Sequence, residues 1–383
     1  MWRVTAILLA AGCSGGLDWE GTPGQAVPAR FDSWVPSLSA RVDGGDPVDL
    51  LVDTGAPYTL LDREAFPALP EGEGEVDLDA FALHFPGLSV LVADVLPGAG
   101  DLWQGLIGGE LLDHFAFTID YRGEQLWLDE QWRGPPPGAP ATGAAVDADV
   151  DLRGTRVLVP ARIEDQATPV WMLVDSGATA VTLDVGVAEA LAGGRPRLDG
   201  VTVTTASGST GAYFIRVWQL AIGAAAEPSV AALVVDDASL FAGLSQEVGR
   251  PVAGLVGGSF LRAYLTGIDY PDHALHLHRY AAQDHIDPDE FVRVGFTLAP
   301  AGATWEVRDV YPGTDAAAEG LTPGAPVAAI DGTTLAGLDG AAVGALIDGH
   351  ALGDELAVDV DLGAGVEEHL VTVEDLLPRY DMP

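Results

Sequence analysis

The 383-residue chain contains no lysine and no asparagine, one cysteine, and only 18 basic residues, all arginine, against 57 acidic ones. Without lysine there is no amine for Schiff-base catalysis, and without asparagine there is no N-glycosylation acceptor. A single cysteine excludes a disulfide framework and any cysteine-cluster metal site. The formal net charge of −39 repels polyanions at long range, which argues against nucleic acid as a partner. No internal stretch approaches the roughly 18 consecutive apolar residues that a membrane-spanning helix requires. Apolar material is nevertheless ample: 48% of the residues are hydrophobic, enough for real cores, and the length implies two or three domains.

The chain opens with Met1-Trp2-Arg3, a short apolar run from Val4 to Ala11, then Gly12-Cys13 and a polar Ser14-Gly15-Gly16 stretch. This is a charged start, a hydrophobic segment and small residues at a cleavage point. Leu9-Ala10-Ala11-Gly12-Cys13 resembles a bacterial lipoprotein signal, with Ala at a position where that signal usually has Leu. The resemblance implies that residues 1–12 are removed and Cys13 is lipidated. It also implies an exported protein of the cell envelope, in the periplasm or at the outer membrane, touching membrane only through its lipid. Residues 13–30 are expected to be a linker.

Gly134-Pro135-Pro136-Pro137-Gly138-Ala139-Pro140 combines fixed φ angles with missing N–H donors, so it suits neither a helix nor a central strand. A linker over 134–146 is expected there. A second joint lies near the polar run Gln283 to Glu290. The folded pieces are then 31–133, 147–285 and 288–383.

The chain repeats itself. Leu51-Val52-Asp53-Thr54-Gly55-Ala56 returns as Leu173-Val174-Asp175-Ser176-Gly177-Ala178, an offset of 122. Each copy ends an apolar run (Val48 to Val52, Val170 to Val174) and precedes a second one (Tyr58 to Leu61, Val181 to Leu183), which places each Asp on a tight loop between strands. Gly105-Leu106-Ile107-Gly108-Gly109 returns as Gly254-Leu255-Val256-Gly257-Gly258, and both copies run on to Ile-Asp-Tyr, at Tyr121 and Tyr270. That second offset is 149, so the second unit holds 27 extra residues between its motifs.

From about residue 31 to the end, these paired motifs resemble the retropepsin-like aspartic proteases, in the tandem-lobe bacterial arrangement with a C-terminal PDZ domain. The resemblance implies an all-β fold, two tandem acid-protease lobes, plus a small α+β PDZ domain. It implies an aspartic endopeptidase acting on polypeptides, with Asp53 and Asp175 as the catalytic pair and no cofactor or metal. Two carboxylates at close range cannot both ionise, so they share a proton and supply the acid and the base that peptide hydrolysis needs. Thr54 and Ser176 would bond across to the opposite loop, while Gly55 and Gly177 would allow the loops to approach closely. The 27 extra residues, including Val201 to Thr205 and Ala212 to Ile215, read as a flap hairpin tipped by Ala206, Ser207 and Gly208. The first unit offers only Phe85-Pro86-Gly87 in that place.

Trp305 to Gly332 carries the turn signals of a bacterial PDZ core, including Gly320-Leu321-Thr322-Pro323-Gly324 and Asp331-Gly332, with Asp339 as N-cap of a helix from Gly340 to Ile347. Ala325 stands where that family usually has Asp. Val294, Gly295 and Phe296 are the expected donors for the terminal carboxylate of a bound peptide. His276 and His278 share one strand face, near His273; without a third ligand at a recognised spacing they read as a solvated face. Two other functions fit the same motifs: a non-catalytic cell-envelope protein that binds peptide in the cleft, and a hydrolase of non-peptide amides.

Overall fold

The computed structural model describes residues 2–3, 16–94, 103–140, 142–191, 193–205, 208–363 and 365–380. Cys13 and flap residues Ala206 and Ser207 lie outside the described residues, as does most of the expected signal segment. The chain is mostly strand, in two related β lobes and a smaller mixed domain.

β1 (Trp2–Arg3) joins the second lobe's sheet, opposite Val203 and Thr204. The first lobe contains β2 (Glu20–Gly21), β3 (Val27–Pro28), β4 (Arg30–Asp32), β5 (Val35–Val42) and β6 (Val48–Val52), which runs into Asp53. Then come β7 (Leu60–Asp62), β8 (Gly72–Ala80), β9 (Leu83–Ala93), β10 (Gly105–Ile107), the one-turn helix α1 (Gly109–Leu112), β11 (Ala116–Asp120) and β12 (Gln125–Asp129). β10 lies parallel to β6 and antiparallel to β7, with Leu106 opposite both Leu51 and Leu60. The Asp motif and the glycine motif are thereby neighbours in one sheet. Apolar residues dominate these strands, Asp49 and Asp62 excepted, because both faces of their central part are covered, and Leu50, Val52, Leu61 and Ile107 are fully buried.

The second lobe repeats this frame. Its elements are β13 (Thr142–Asp149), β14 (Asp151–Arg153), β15 (Arg156–Ile163), β16 (Val170–Val174), β17 (Val181–Asp184), α2 (Val185–Glu189), β18 (Arg197–Thr205) and β19 (Gly208–Ile222). β20 (Ala225–Val235), α3 (Ala238–Val248), β21 (Gly254–Val256), α4 (Gly258–Leu261), β22 (Tyr264–Asp269) and β23 (Ala274–Tyr280) follow. Here β21 lies parallel to β16 and antiparallel to β17, with Leu255 opposite Leu173 and Thr182. A six-stranded sheet, in the order β13-β23-β22-β11-β12-β3, takes strands from both lobes and joins them through Phe117 opposite Ile268.

Three expectations are corrected. Residues 13–30 are not simply a linker: β2 pairs with β9, β3 pairs with β12, and Trp19 packs edge-on against Phe115 at 5.9 Å. The apolar residues Leu17, Trp19 and Val27 hold that segment to the first lobe's core. The linker of 134–146 is shorter than expected, because Thr142 already pairs with Tyr280 in β13. Phe85-Pro86-Gly87 is not a connection but part of β9, where the ladder with β8 shifts register; the turn lies at Phe81 and Ala82, both with positive φ.

The extra residues of the second lobe have a definite place. β9 runs parallel to β7 as β20 runs parallel to β17, so the hairpin β8-β9 corresponds to the paired stretch of β19 and β20. β18, paired antiparallel with the first half of β19, has no counterpart among the described residues of the first lobe.

The third domain consists of β24 (Val292–Arg293), β25 (Phe296–Ala301), β26 (Thr304–Val310), α5 (Asp315–Ala318), β27 (Pro326–Ile330), β28 (Thr333–Thr334), α6 (Gly340–Asp348), β29 (Glu355–Asp361), β30 (Val366–Thr372) and β31 (Glu374–Asp375). Its main sheet runs β25-β26-β27-β29-β30 over a separate core that includes Val307, Ile330, Leu356 and Val371. Asp331 and Gly332 both have positive φ in the turn after β27, and the Asp339 side chain caps α6 by accepting from the Ala342 amide at 2.9 Å.

Candidate active site

Asp53 and Asp175 each stand at the end of a central strand, on loops that meet between the lobes. Their exposures are 7% and 8%. A Cβ added to Gly55 would lie 2.5 Å from Asp175 Cγ, and one added to Gly177 would lie 2.5 Å from Asp53 Cγ. Each glycine is therefore required by the opposite lobe's carboxylate rather than by its own backbone angles. Behind the loops, any side chain on Gly108 would collide with the backbone of Tyr58, and one on Gly257 with the Ala180 carbonyl.

The hydroxyls of Thr54 and Ser176 clamp the two loops together. The Thr54 amide donates to Ser176 Oγ at 3.1 Å and the Ser176 amide donates to Thr54 Oγ1 at 3.0 Å. Each hydroxyl then donates across the interface, Thr54 Oγ1 to the Val174 carbonyl at 3.0 Å and Ser176 Oγ to the Val52 carbonyl at 2.7 Å. Both side chains are fully buried, so every one of these groups needs the partner it has.

Burial pushes both carboxyls above the usual aspartate range. For Asp175 the displacement is large, and the adjacent charge of Asp53 adds to it. Asp53 is held lower by a hydrogen bond with Asp175 and by the Gly55 and Ala56 amides, which donate to its Oδ1 at 2.8 and 3.1 Å. The pair titrates as a unit, and its singly protonated form shares one proton between the two carboxyls.

Other groups around the pair were given no role in the sequence. Arg156, 5% exposed, lowers both carboxyls and is held by Glu247 through bonds of 3.1 and 3.2 Å to Oε1. Tyr121 and Tyr270, the repeated Ile-Asp-Tyr tyrosines, are buried with no hydrogen-bond partner for either hydroxyl among the described residues. Burial raises both hydroxyls above the usual tyrosine range; Asp175 adds to this at Tyr121, and Asp113 followed by Asp53 at Tyr270. Glu110 accepts from the Thr59 amide at 2.5 Å, where Ser259 Oγ accepts from the Val181 amide at 2.8 Å in the second lobe. Burial pushes Glu110 up to about 7. The repeat offsets could have located Glu110, since 110 and 259 correspond; nothing in the sequence marks Glu247 as the partner of Arg156.

Of the remaining candidates, Gly208 opens β19 opposite Thr205. Val294 and Phe296 are buried in the third core, and Gly295 lies against the Thr314 side chain while its carbonyl accepts from the Tyr311 amide at 2.9 Å. β25, which begins at Phe296, is an edge strand. The histidine face is not solvated as expected: Trp132 stacks on His276 at 4.7 Å and tilts against His278 at 5.7 Å, over the gap that Gly267 leaves. His276 Nδ1 is 2.6 Å from Asp147 Oδ1.

Residues 159–260, from β15 into α4, match a family model described as aspartyl protease. That span holds Asp175, Ser176, Gly177 and the Gly254–Gly258 motif. The comparison with curated proteins returns no match. Among solved structures, the aspartic proteinase from Irpex lacteus aligns over 68% of this chain and 98% of its own, at 13% identity and a TM-score of 0.41. The protein is thus a two-lobed β protein whose second lobe is similar in sequence to aspartyl proteases and whose first lobe repeats the same strand frame and loop.

Proposed function

We propose that the protein is an aspartic endopeptidase that hydrolyses polypeptides through a water activated by Asp53 and Asp175. The observation that carries this reading is the reciprocal approach of each carboxylate to the other lobe's glycine. Asp53, which we assign as the charged partner, takes a proton from the water as its oxygen attacks the scissile carbonyl carbon, while Asp175 gives its proton to the carbonyl oxygen. The resulting diol collapses with cleavage of the C–N bond. The departing nitrogen takes the proton from Asp53, and a diol hydroxyl returns one to Asp175. The hairpin of β18 and β19 is the element we assign to covering the bound peptide.

In the same reading the third domain is PDZ-like and takes an extended peptide on the free edge of β25, with its terminal carboxylate at Val294, Gly295 and Phe296. Cys13 carries the lipid that holds the protein in the bacterial cell envelope. Digestion of a diverse peptide library by residues 14–383 across pH tests the activity, with Asp53→Asn and Asp175→Asn as controls. Cleavage by the native protein alone supports the peptidase, whereas peptide binding without cleavage supports a cell-envelope binding protein. For the anchor, Cys13→Ser should release the protein from membranes and stop incorporation of labelled fatty acid; native protein that takes up no label contradicts it.

A further inference from the structure

The last described residues, 376–380, leave the third domain and return to the second lobe. Leu377 is fully buried in a cluster with Leu198 and Val201 of β18, Val203 and Phe214 of the same hairpin, and Ala180 just beyond the Asp175 loop. The polar anchor is Arg216 of β19. Its Nε donates to the Leu377 carbonyl at 3.1 Å, its Nη1 donates to the Ser229 carbonyl at 2.9 Å, and its guanidinium lies 4.9 Å from the Phe291 ring centroid.

Glu290 and Asp375 act on the Arg216 charge at longer range, while the Leu377 and Ser229 carbonyls accept directly from its guanidinium. A half-buried guanidinium that loses an acceptor is left with an unmet donor. Ser229, held at a φ of +50°, also accepts at Oγ from the Tyr380 amide at 2.9 Å. The Tyr380 ring in turn lies 5.5 Å from Arg195. A second contact comes from the third domain itself: Gly200, with φ +82°, leaves room for Pro312, whose Cδ would be 2.6 Å from an added Cβ. This contact falls where the β18-β19 ladder shifts register between Leu198 and Val201.

We infer that residues 376–380 are positioning residues for the β18-β19 hairpin: the tail and the third domain buttress the hairpin base, making the third domain part of the catalytic unit rather than a tethered module. The inference rests on the proposed reading in which this hairpin covers substrate. Without the buttress, a hairpin toward one end of its lobe's sheet samples more open arrangements, weakening substrate binding more than chemistry.

The test is hydrogen exchange on residues 14–383, comparing native protein with Leu377→Ala and, as a conservative control, Leu377→Met. The expected result for Leu377→Ala is a loss of protection of about tenfold or more in peptides covering 197–215, with peptides covering 48–52 and 170–174 unchanged. Leu377→Met should restore protection. For a cleaved peptide, KM should rise several-fold with kcat nearly unchanged. Unchanged protection of the hairpin, or equal loss across both lobes, would overturn the inference. Exchange requires no turnover, so it reads the buttress even in a protein that cleaves nothing, and failure of the peptidase reading remains separately visible.

Discussion

Thr54 and Ser176, 122 positions apart, hydrogen-bond reciprocally: each backbone amide donates to the other's hydroxyl oxygen, at 3.1 and 3.0 Å. Neither hydroxyl could be replaced by a methyl group without orphaning a buried amide. Ser176→Ala should therefore lower stability by about 1–3 kcal/mol, the cost of unmet buried donors and acceptors. Denaturant melts measure it, and an unchanged midpoint would show that the loops are held by other contacts.

The glycines give a sharper separation of fold from activity. In Gly177→Ala the new methyl enters the space of the Asp53 carboxylate, so the aspartate must move. Turnover should fall by about a hundredfold or more, as expected when catalytic groups are displaced by an ångström. The circular dichroism spectrum should remain that of the native β protein. Gly55→Ala should do the same through Asp175.

Glu110 supplies a pH dependence that the second lobe lacks, since Ser259 occupies the equivalent position. Its pKa is raised by burial from 4.5 to about 7, so the folded state favours the protonated acid. Stability from this group is complete below the unfolded value and declines as pH rises from about 4.5 through 7. Glu110→Gln retains an acceptor for the Thr59 amide but cannot ionise. It should remove that decline and stabilise the protein at pH 8 by roughly 1–3 kcal/mol. Melting temperatures of native and variant that stay parallel from pH 4 to pH 8 would contradict this.

Ala56 and Ala178, at 7% and 2% exposure, follow the two catalytic-loop glycines. A serine at either place would bring a buried hydroxyl that needs an acceptor, and the aspartate of its own loop is near: the Ala56 amide already reaches Asp53 Oδ1 at 3.1 Å. Donation to the charged form lowers a carboxyl pKa. The Ala56→Ser plus Ala178→Ser protein should therefore have its pH–rate profile displaced to lower pH. The native profile should lie at weakly acidic to near-neutral pH, because burial raises both carboxyls. Displacement to higher pH would remove the missing hydroxyls as the cause.

The two Asp loops and the glycine strands were legible in the sequence because they are local and repeated: Val48–Val52 and Val170–Val174 occur as strands with those same limits. The extra strand β18 was legible through unequal offsets. Trp19 and residues 142–146 were misread because their partners, Phe115 and β23, are far away in sequence, and short strands without turn signals look like linkers. Trp132 over the histidines has the same cause. Arg156 and the Arg216–Leu377 contact depend on burial and on side chains that meet only after the lobes and the tail are packed, which periodicity does not encode.

The central claim is that Asp53 and Asp175 act as one unit, with one proton between them. The most direct measurement is kcat/KM on a single cleaved peptide for native protein, Asp53→Asn and Asp175→Asn, with thermal melts of all three. Each variant should lose about a thousandfold or more while melting no lower than the native protein, because each relieves a buried, mutually repelling carboxyl pair. Retention of turnover within about tenfold of native by either variant would contradict the account.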